Sequence, residues 1–269
     1  MPMMTTRRMP GFEGVAAGNT ATLRLPIGNS YHQLLLTYSG VTLAQMNEIR
    51  VVANGEPVMR FTSGTQLDDI NQFEGRAAAA GVIVIDFDRY NLRTRRAEEI
   101  TKIGTGDPND PTPITTLALE IDIDGAAAAP VLSCKAIQSG PEPVGLIKQV
   151  RQFNYTVSAT GDFEISDLPK GDLMNKVIFG NHGTIASTKL KLERDNFVVF
   201  ERSTAENELI QTDGVREPQA SLAVIDPTEN GHGSETIETA GVGDLRFTVT
   251  AGATGSLPVA VEYLAPIGI

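Results

Sequence analysis

Cysteine occurs once in 269 residues, tryptophan not at all and histidine three times. With Cys134 alone there can be no intrachain disulfide, so stability must come from packing and assembly. Cys134 falls in the strand-like run 131–137, where a buried, inert thiol is the expected state rather than a nucleophile. Lacking tryptophan and holding only five tyrosines, the chain is poorly supplied for a sugar-binding platform. His32, His182 and His232 lie in different segments with no second His, Cys or paired acid at ligand spacing, which argues against zinc. His32 and His182 flank turns at related places; both are expected to be solvated, and neither is nominated as a catalyst. No P-loop, dinucleotide fingerprint or Gly-x-Ser-x-Gly elbow occurs. No signal-peptide core and no run of about 18 apolar residues is found. The expectation is therefore a soluble chain synthesised in the cytoplasm.

Acidic residues outnumber basic ones 33 to 22, giving a formal charge of −11. Such a surface repels polyanions, which excludes sequence-specific nucleic-acid binding as the expected role. The N-terminal segment runs the other way: Arg7 and Arg8 stand among Met1, Met3, Met4 and Met9, with no acid before Glu13. They are a candidate contact for phosphate or lipid headgroups, and a frayed, solvated terminus is the plainer reading. Hydrophobic residues at 41% are enough for a packed core. The 26 glycines and 15 prolines punctuate short runs rich in Val, Ile and Thr, a pattern of strands joined by turns. The expected class is all-β.

The chain repeats itself. Leu25-Pro26-Ile27-Gly28-Asn29 pairs with Leu168-Pro169-Lys170-Gly171-Asp172, and Gly40 falls on Gly183 at the same spacing. Val58–Phe61 pairs with Phe197–Phe200, and Val84-Ile85-Asp86 with Val224-Ile225-Asp226. Leu117–Val131 aligns without a gap on Leu245–Val259, Pro130 meeting Pro258. In both copies an alternating strand leads through a small-residue loop and a proline into another strand, so one face of each is buried. Strands are expected near 20–25, 33–38, 48–52, 58–61, 82–87, 117–123 and 131–137, with short helical connectors at 42–48, 66–73 and 203–210. Ser203 three residues before Glu206 is a capping-box pattern. About eight strands per half predict two tandem eight-stranded jelly rolls with short connecting helices, another Greek-key sandwich being the main rival. The divisions are an N-terminal arm at 1–14, a first jelly roll at 15–140 and a second at 141–269. The hinge falls at Ser139-Gly140-Pro141-Glu142-Pro143, where pre-proline residues disfavour helix.

Chemistry-bearing clusters are sparse. Asp86 with Asp88, and Asp122 with Asp124, place two carboxylates on one strand face, and a solvated face is the expected state of both pairs. Glycosidases draw their two carboxylates from separate segments across a cleft, so these pairs do not make one. Asn91–Ile114 reads as an elaborated surface loop. Within it, Asp107, Asn109 and Asp110 are a weak calcium candidate, since Asp, Asn and Pro also form turns. No catalytic residue or cofactor-binding residue is nominated.

Val15-Ala16-Ala17-Gly18-Asn19, Leu25-Pro26-Ile27-Gly28, Tyr38-Ser39-Gly40-Val41-Thr42 and Asp122-Ile123-Asp124-Gly125-Ala126-Ala127-Ala128 together resemble the major capsid protein of corticoviruses. These are tailless icosahedral phages with a membrane inside the shell. The resemblance is dense over 15–54, recurs at 121–132, touches 165–169 and ends with Val261-Glu262-Tyr263. It implies a double jelly roll whose homotrimer presents six similar barrels and tiles a lattice of neighbouring capsomers, with a vertex (penton) protein and internal membrane proteins as further partners. It also implies calcium binding, with no motif that carries the ligands onto Asp107, Asn109 or Asp110. By the same analogy Arg7 and Arg8 would face the internal vesicle, where headgroups attract basic residues by about 1 kcal/mol each. The expected location is the virion shell. The alternative is a two-domain β-sandwich adhesin or glycan-binding module.

Overall fold

Leu117, Leu119, Ile121 and Ile123 are buried while the residues between them are half-exposed, the signature of a strand with one face in a core. The computed structural model describes residues 4–267 and divides them into two units. The first comprises 4–71, 76–150 and 265–267, the second 72–75 and 151–264.

Eight strands build the first unit: β1 (Thr5–Arg8), β2 (Thr20–Leu25), β3 (Ser30–Ser39), β4 (Met46–Ala53), β5 (Glu56–Phe61), β6 (Val82–Asp86), β7 (Leu117–Ile123) and β8 (Val131–Ser139). One sheet runs β1-β8-β3-β6 and the other β2-β7-β4-β5. Cross-strand neighbours such as Leu36 opposite Cys134 and Leu23 opposite Leu119 pair antiparallel. Between the sheets Leu23, Leu34, Leu36, Ile49, Val51, Ile85 and Leu119 are all buried. Helix α1 (Gly64–Phe73) connects β5 to β6, and a short α2 (Arg95–Glu98) follows β6.

The second unit is built from β9 (Ile147–Val157), β10 (Gly161–Ile165), β11 (Leu173–Gly180), β12 (Ser187–Arg194), β13 (Phe197–Ser203), β14 (Leu222–Ile225), β15 (Leu245–Ala251) and β16 (Gly255–Ala265). Helices α3 (His182–Ile185) and α4 (Thr204–Gln211) connect β11 to β12 and β13 to β14. Its sheets run β9-β16-β11-β14 and β10-β15-β12-β13. Numbered from the start of each unit, both follow one permutation: first, eighth, third, sixth; and second, seventh, fourth, fifth. This is the jelly-roll order, twice over, in open sheets that do not close into barrels. The core around Val177, Phe179, Leu190, Leu192, Phe247, Val249 and Tyr263 is apolar and buried, with the Phe179 and Phe247 rings 6.4 Å apart at a tilt.

The repeated sequence landmarks are held by repeated bonds. Thr105 Oγ1 accepts from Gly28 N–H at 2.9 Å and donates to Asn29 O at 2.6 Å. In the second unit Thr239 Oγ1 accepts from Gly171 N–H at 2.7 Å and donates to Asp172 O at 2.6 Å. Two residues earlier Ile103 bridges Tyr31, and Ile237 bridges Met174. Each Pro-x-Gly turn is thus latched by a strap that buries an isoleucine and a threonine. For the first unit this corrects the reading of Asn91–Ile114 as a surface loop, since Thr101, Ile103, Thr105 and Ile114 are buried. Part of the segment read as an N-terminal arm is likewise structured: Thr5–Arg8 pair with β8 as an edge strand, while Met1 and Met3 lie outside the described residues. The connector expected at 42–48 is only a 3-10 turn, Leu43–Gln45, because β4 begins at Met46.

Gly40 takes a left-handed φ of 66° at the end of β3, and a Cβ there would lie 1.8 Å from the Ala129 carbonyl oxygen. Gly40→Ala is expected to destabilise the chain by at least about 1–2 kcal/mol from the backbone conformation alone. Urea unfolding followed by far-ultraviolet circular dichroism checks this.

Candidate functional site

Ser63 and Ser203 cap α1 and α4, accepting from Gln66 N–H at 3.0 Å and Glu206 N–H at 3.3 Å. From the last turns, the side-chain amides of Asn71 and Gln211 donate to Val84 O and Val224 O at 2.9 and 3.0 Å. Beyond each helix an arginine returns to the sixth strand: Arg76 grips Asp86 at 2.7 and 2.8 Å, and Arg216 Nε donates to Asp226 at 2.6 Å. The Val-Ile-Asp repeat therefore marks the strand end on which the helical connection is tied. Asp86 is buried rather than solvated, because its guanidinium partner replaces water.

The second unit elaborates this knot. Lys176 pairs with Glu74 and lies 3.9 Å from Asp226, and Glu262 accepts from Asn175 at 2.9 Å. Two cations thus face three carboxylates with almost no access to water. Burial alone would raise the Asp226 pKa, but Lys176 and Arg216 hold it below the ordinary carboxylate range. Glu74 is pushed up, because burial and the neighbouring Glu262 and Asp226 outweigh Lys176.

His32 is 2% exposed, which overturns its reading as a solvated turn residue. Its Nδ1 is 2.9 Å from Asp88 Oδ2 and its Nε2 2.9 Å from Ser139 Oγ. Burial raises the Asp88 pKa, with the His32 bond pulling the other way. The Ser-His-Asp order is that of a hydrolytic triad. Here it spans neighbouring strands, Ser30 standing opposite Ser139 in the β3–β8 ladder, and fixes the chain leaving β6. Asp88 is thus also buried rather than solvated. His182 Nδ1 bonds Ser187 Oγ at the start of β12.

The remaining sequence candidates separate. Asp122 is held by Thr20 at 2.6 Å and Arg50 at 2.9 Å; burial would raise its pKa, yet these partners keep it low. Asp124 accepts from Ala126 N–H at 2.7 Å. In the calcium candidate, Asp107 accepts from Asn109 N–H at 2.8 Å, and Asp110 accepts from Thr112 N–H at 2.9 Å and Val144 N–H at 2.7 Å. Both oxygens of Asp110 are committed to backbone amides, so the loop has the bonding of a turn and fits a cation cage poorly. Among the described residues no group of three or more His, Cys, Asp or Glu is arranged to hold a metal. The Cys134 thiol is buried and its pKa is pushed up to about 12 by that burial, as an inert thiol requires. Arg7 and Arg8 are exposed on β1.

What the molecule does present is an apolar sheet edge. Phe197 is 75% exposed, Val198 50% and Val199 55%, all on β13, the last strand of its sheet. Leu209 and Ile210 on α4, which packs against β13, are exposed beside it. An apolar edge strand open to water is an association hazard unless another chain covers it. Behind this edge lies a groove lined by Leu192, Val199, Phe200, Pro227, Glu229 and Glu238, with about 240 Å³ of space.

Residues 6–139 match the family model of the viral coat protein P2 N-terminal domain, and residues 147–267 that of its C-terminal domain. The chain is 32% identical over 161 residues to the major capsid protein P2 of Pseudoalteromonas phage PM2, an alignment covering 58% of this chain and 57% of that protein. The crystal structure of the phage PM2 protein superposes with a TM-score of 0.91 at 24% identity, covering 99% of this chain and 98% of that one. The crystal structure of the STIV MCP gives 0.68 at 11% identity, over 99% and 97% of the two chains. The PBCV-1 virus capsid gives 0.66 at 7% identity, with the same coverage. These likenesses agree with the jelly-roll order found in each unit.

The buried knot of the second unit generates a pH test. A carboxylate whose pKa is depressed on folding contributes stability above its unfolded value, and that contribution is lost as pH falls through the folded value. Asp226→Asn is expected to cost about 3–5 kcal/mol at pH 7, as removal of one partner from a buried pair does. It should also flatten the acid limb of the stability curve below about pH 4. Glu74 has the opposite sign, so Glu74→Gln should cost less at pH 7. Urea midpoints from pH 2 to 8 measure both.

Proposed function

Because the chain belongs to the viral coat protein P2 family, we propose that three copies close into a capsomer with six similar sandwiches, the building block of an icosahedral shell over an internal membrane. A coat protein is a component of the virion shell and packs against copies of itself. The observation that carries the proposal is the identical strand permutation of the two tandem units. One chain with two similar but non-identical sandwiches lets a three-fold object occupy a six-coordinated site. Neighbouring capsomers are its lateral partners in this reading, with a vertex protein and membrane proteins beyond them.

The role needs no catalyst. The carboxylates that sequence reasoning weighed for catalysis, Asp86 and Asp122, are each neutralised by an arginine, and the Ser139-His32-Asp88 chain ties strands together. A structural calcium ion, which the family resemblance implies, belongs to the proposal without an assigned site. Arg7 and Arg8 are assigned to the vesicle side on the strength of their exposure and of the acidic character of the rest of the chain.

Light scattering on the purified protein is expected to give three chain masses, with six-lobed projections in electron micrographs, and repeating it without calcium tests whether the ion holds the trimer. A single-chain mass combined with glycan binding would favour an adhesin instead. Arg7→Ala with Arg8→Ala is expected to reduce co-sedimentation with anionic vesicles, at about 1 kcal/mol per charge removed. Equal co-sedimentation of variant and parent would remove the arginines from the membrane reading.

A further inference from the structure

The two units manage the same sheet edge in opposite ways. In both, the fifth strand is the last of the run second, seventh, fourth, fifth and carries a register shift at a matching place: between Val51 and Val52 against β5, and between Leu192 and Glu193 against β13. These shifts align Val58 with Val199 and Met59 with Phe200. On β5 the apolar side chains are covered, Val58 at 5% and Met59 at 1% exposure. Its outer edge is taken within the first unit by the start of β9, Met59 lying opposite Val150 in parallel register. On β13 Val199 is exposed while Phe200 is half-buried against the core, and no strand follows β13 in its sheet among the described residues.

The strand that covers β5 is the first strand of the following repeat. No strand takes that place beside β13 among the described residues, and the counterpart of β9 in the first unit is β1, which a second copy would present. β1 is suited to the part. It ends the sheet β1-β8-β3-β6, and all four of its residues are exposed. Met9 N–H bonds to Cys134 O at 3.0 Å on the β8 side, so alternation turns the N–H groups of Thr6 and Arg8 to the open side. Among the described residues, six of the ten large hydrophobic side chains that are exposed lie on β13, on α4 or just after it: Phe197, Val198, Val199, Leu209, Ile210 and Val215.

We propose that the β13 edge is a contact between copies, and that its occupant is β1 of a second copy, added in parallel as the start of β9 is added to β5. The proposal rests on the capsomer reading and deepens it. The contact joins two different surfaces, so each copy offers a β13 edge to one neighbour and a β1 edge to the other, and the chain of contacts is satisfied when the ring closes. Main-chain hydrogen bonds supply the pairing, and burial of the exposed Val198 and Val199 supplies its apolar part.

Three variants of the full chain test it, each compared with wild type by light scattering and circular dichroism. Val199→Glu places a charge on the exposed edge. Thr6→Pro removes an outward N–H from β1 without touching the β8 ladder. Both are expected to keep the wild-type dichroism and to shift the mass from three chains to one. Thr6→Cys with Phe200→Cys is expected, on oxidation, to give cross-links between chains, up to three chains on a non-reducing gel. A wild-type trimer that stays trimeric in Val199→Glu would overturn the edge contact and leave the capsomer reading standing. Dissociation in Val199→Glu but not in Thr6→Pro, with no cross-link, would overturn β1 as the occupant, as would a two-chain mass from β13 pairing with itself. A monomeric wild type would overturn the capsomer reading and this contact together.

Discussion

A guanidinium returning from a helical connection to the end of the sixth strand, Arg76 to Asp86 and Arg216 to Asp226, is the constraint on which each unit depends. The sixth strand is the outermost of its sheet, short, and joined to the fifth strand of the opposite sheet by a long connection that carries a helix of two to three turns. Left untied, that connection would bring unpaired backbone groups against the core. The arginine ends the problem at both sides, bonding the carboxylate and, in the second unit, also the Thr228 and Glu229 carbonyls at 2.5 and 3.1 Å. Substituting an apolar pair would fill the space, but it would not hold a specific backbone path.

Around this shared element the two units have diverged where assembly would ask it of them. Gln33 stands opposite Asp86 in the first unit, whereas in the second Lys176 reaches Asp226 and recruits Glu74. The cores and latches stay alike. The edges do not: the fifth strand of one unit buries Val58, Met59 and Phe61, and that of the other carries three exposed apolar residues in a row. Core positions answer only to their own sandwich, so duplication preserves them. An edge answers to its neighbour, and the two edges have different neighbours.

That division explains what could be read from the sequence. Alternation over Leu117–Ile123 and Thr20–Leu25 located both strands to the residue, because a strand buried on one face writes its period into side-chain polarity. Ser203 and Glu206 announced α4 through their mutual cap. The Leu-Pro-x-Gly repeat was visible as a repeat, but its cause was not, since Thr105 and Thr239 act on it from 77 and 68 residues away. The expected solvation of His32, Asp86 and Asp88 failed for the same reason. A polar side chain is buried when a partner meets it, and those partners, Ser139 and Arg76, are distant or unremarkable in the sequence. The spacing of ten residues between each arginine and its aspartate, repeated in both halves, was the signal that would have exposed the knot.

The exposed edge was hidden differently. Phe197-Val198-Val199-Phe200 reads as an ordinary strand, and apolar residues on a strand argue for burial. Only the register shows that both neighbours needed to bury them are not supplied by the second unit, whose sheet stops at β13. A single chain with one satisfied and one unsatisfied copy of the same edge is an incomplete object. In a soluble protein such an edge would be blunted by lysine, proline or a bulge that twists it away, and β13 has only the bulge. Phe197, Val198 and Val199 in the open leave apolar surface that the proposed contact with a second copy would cover, so the same residues that end the sheet would specify the partner.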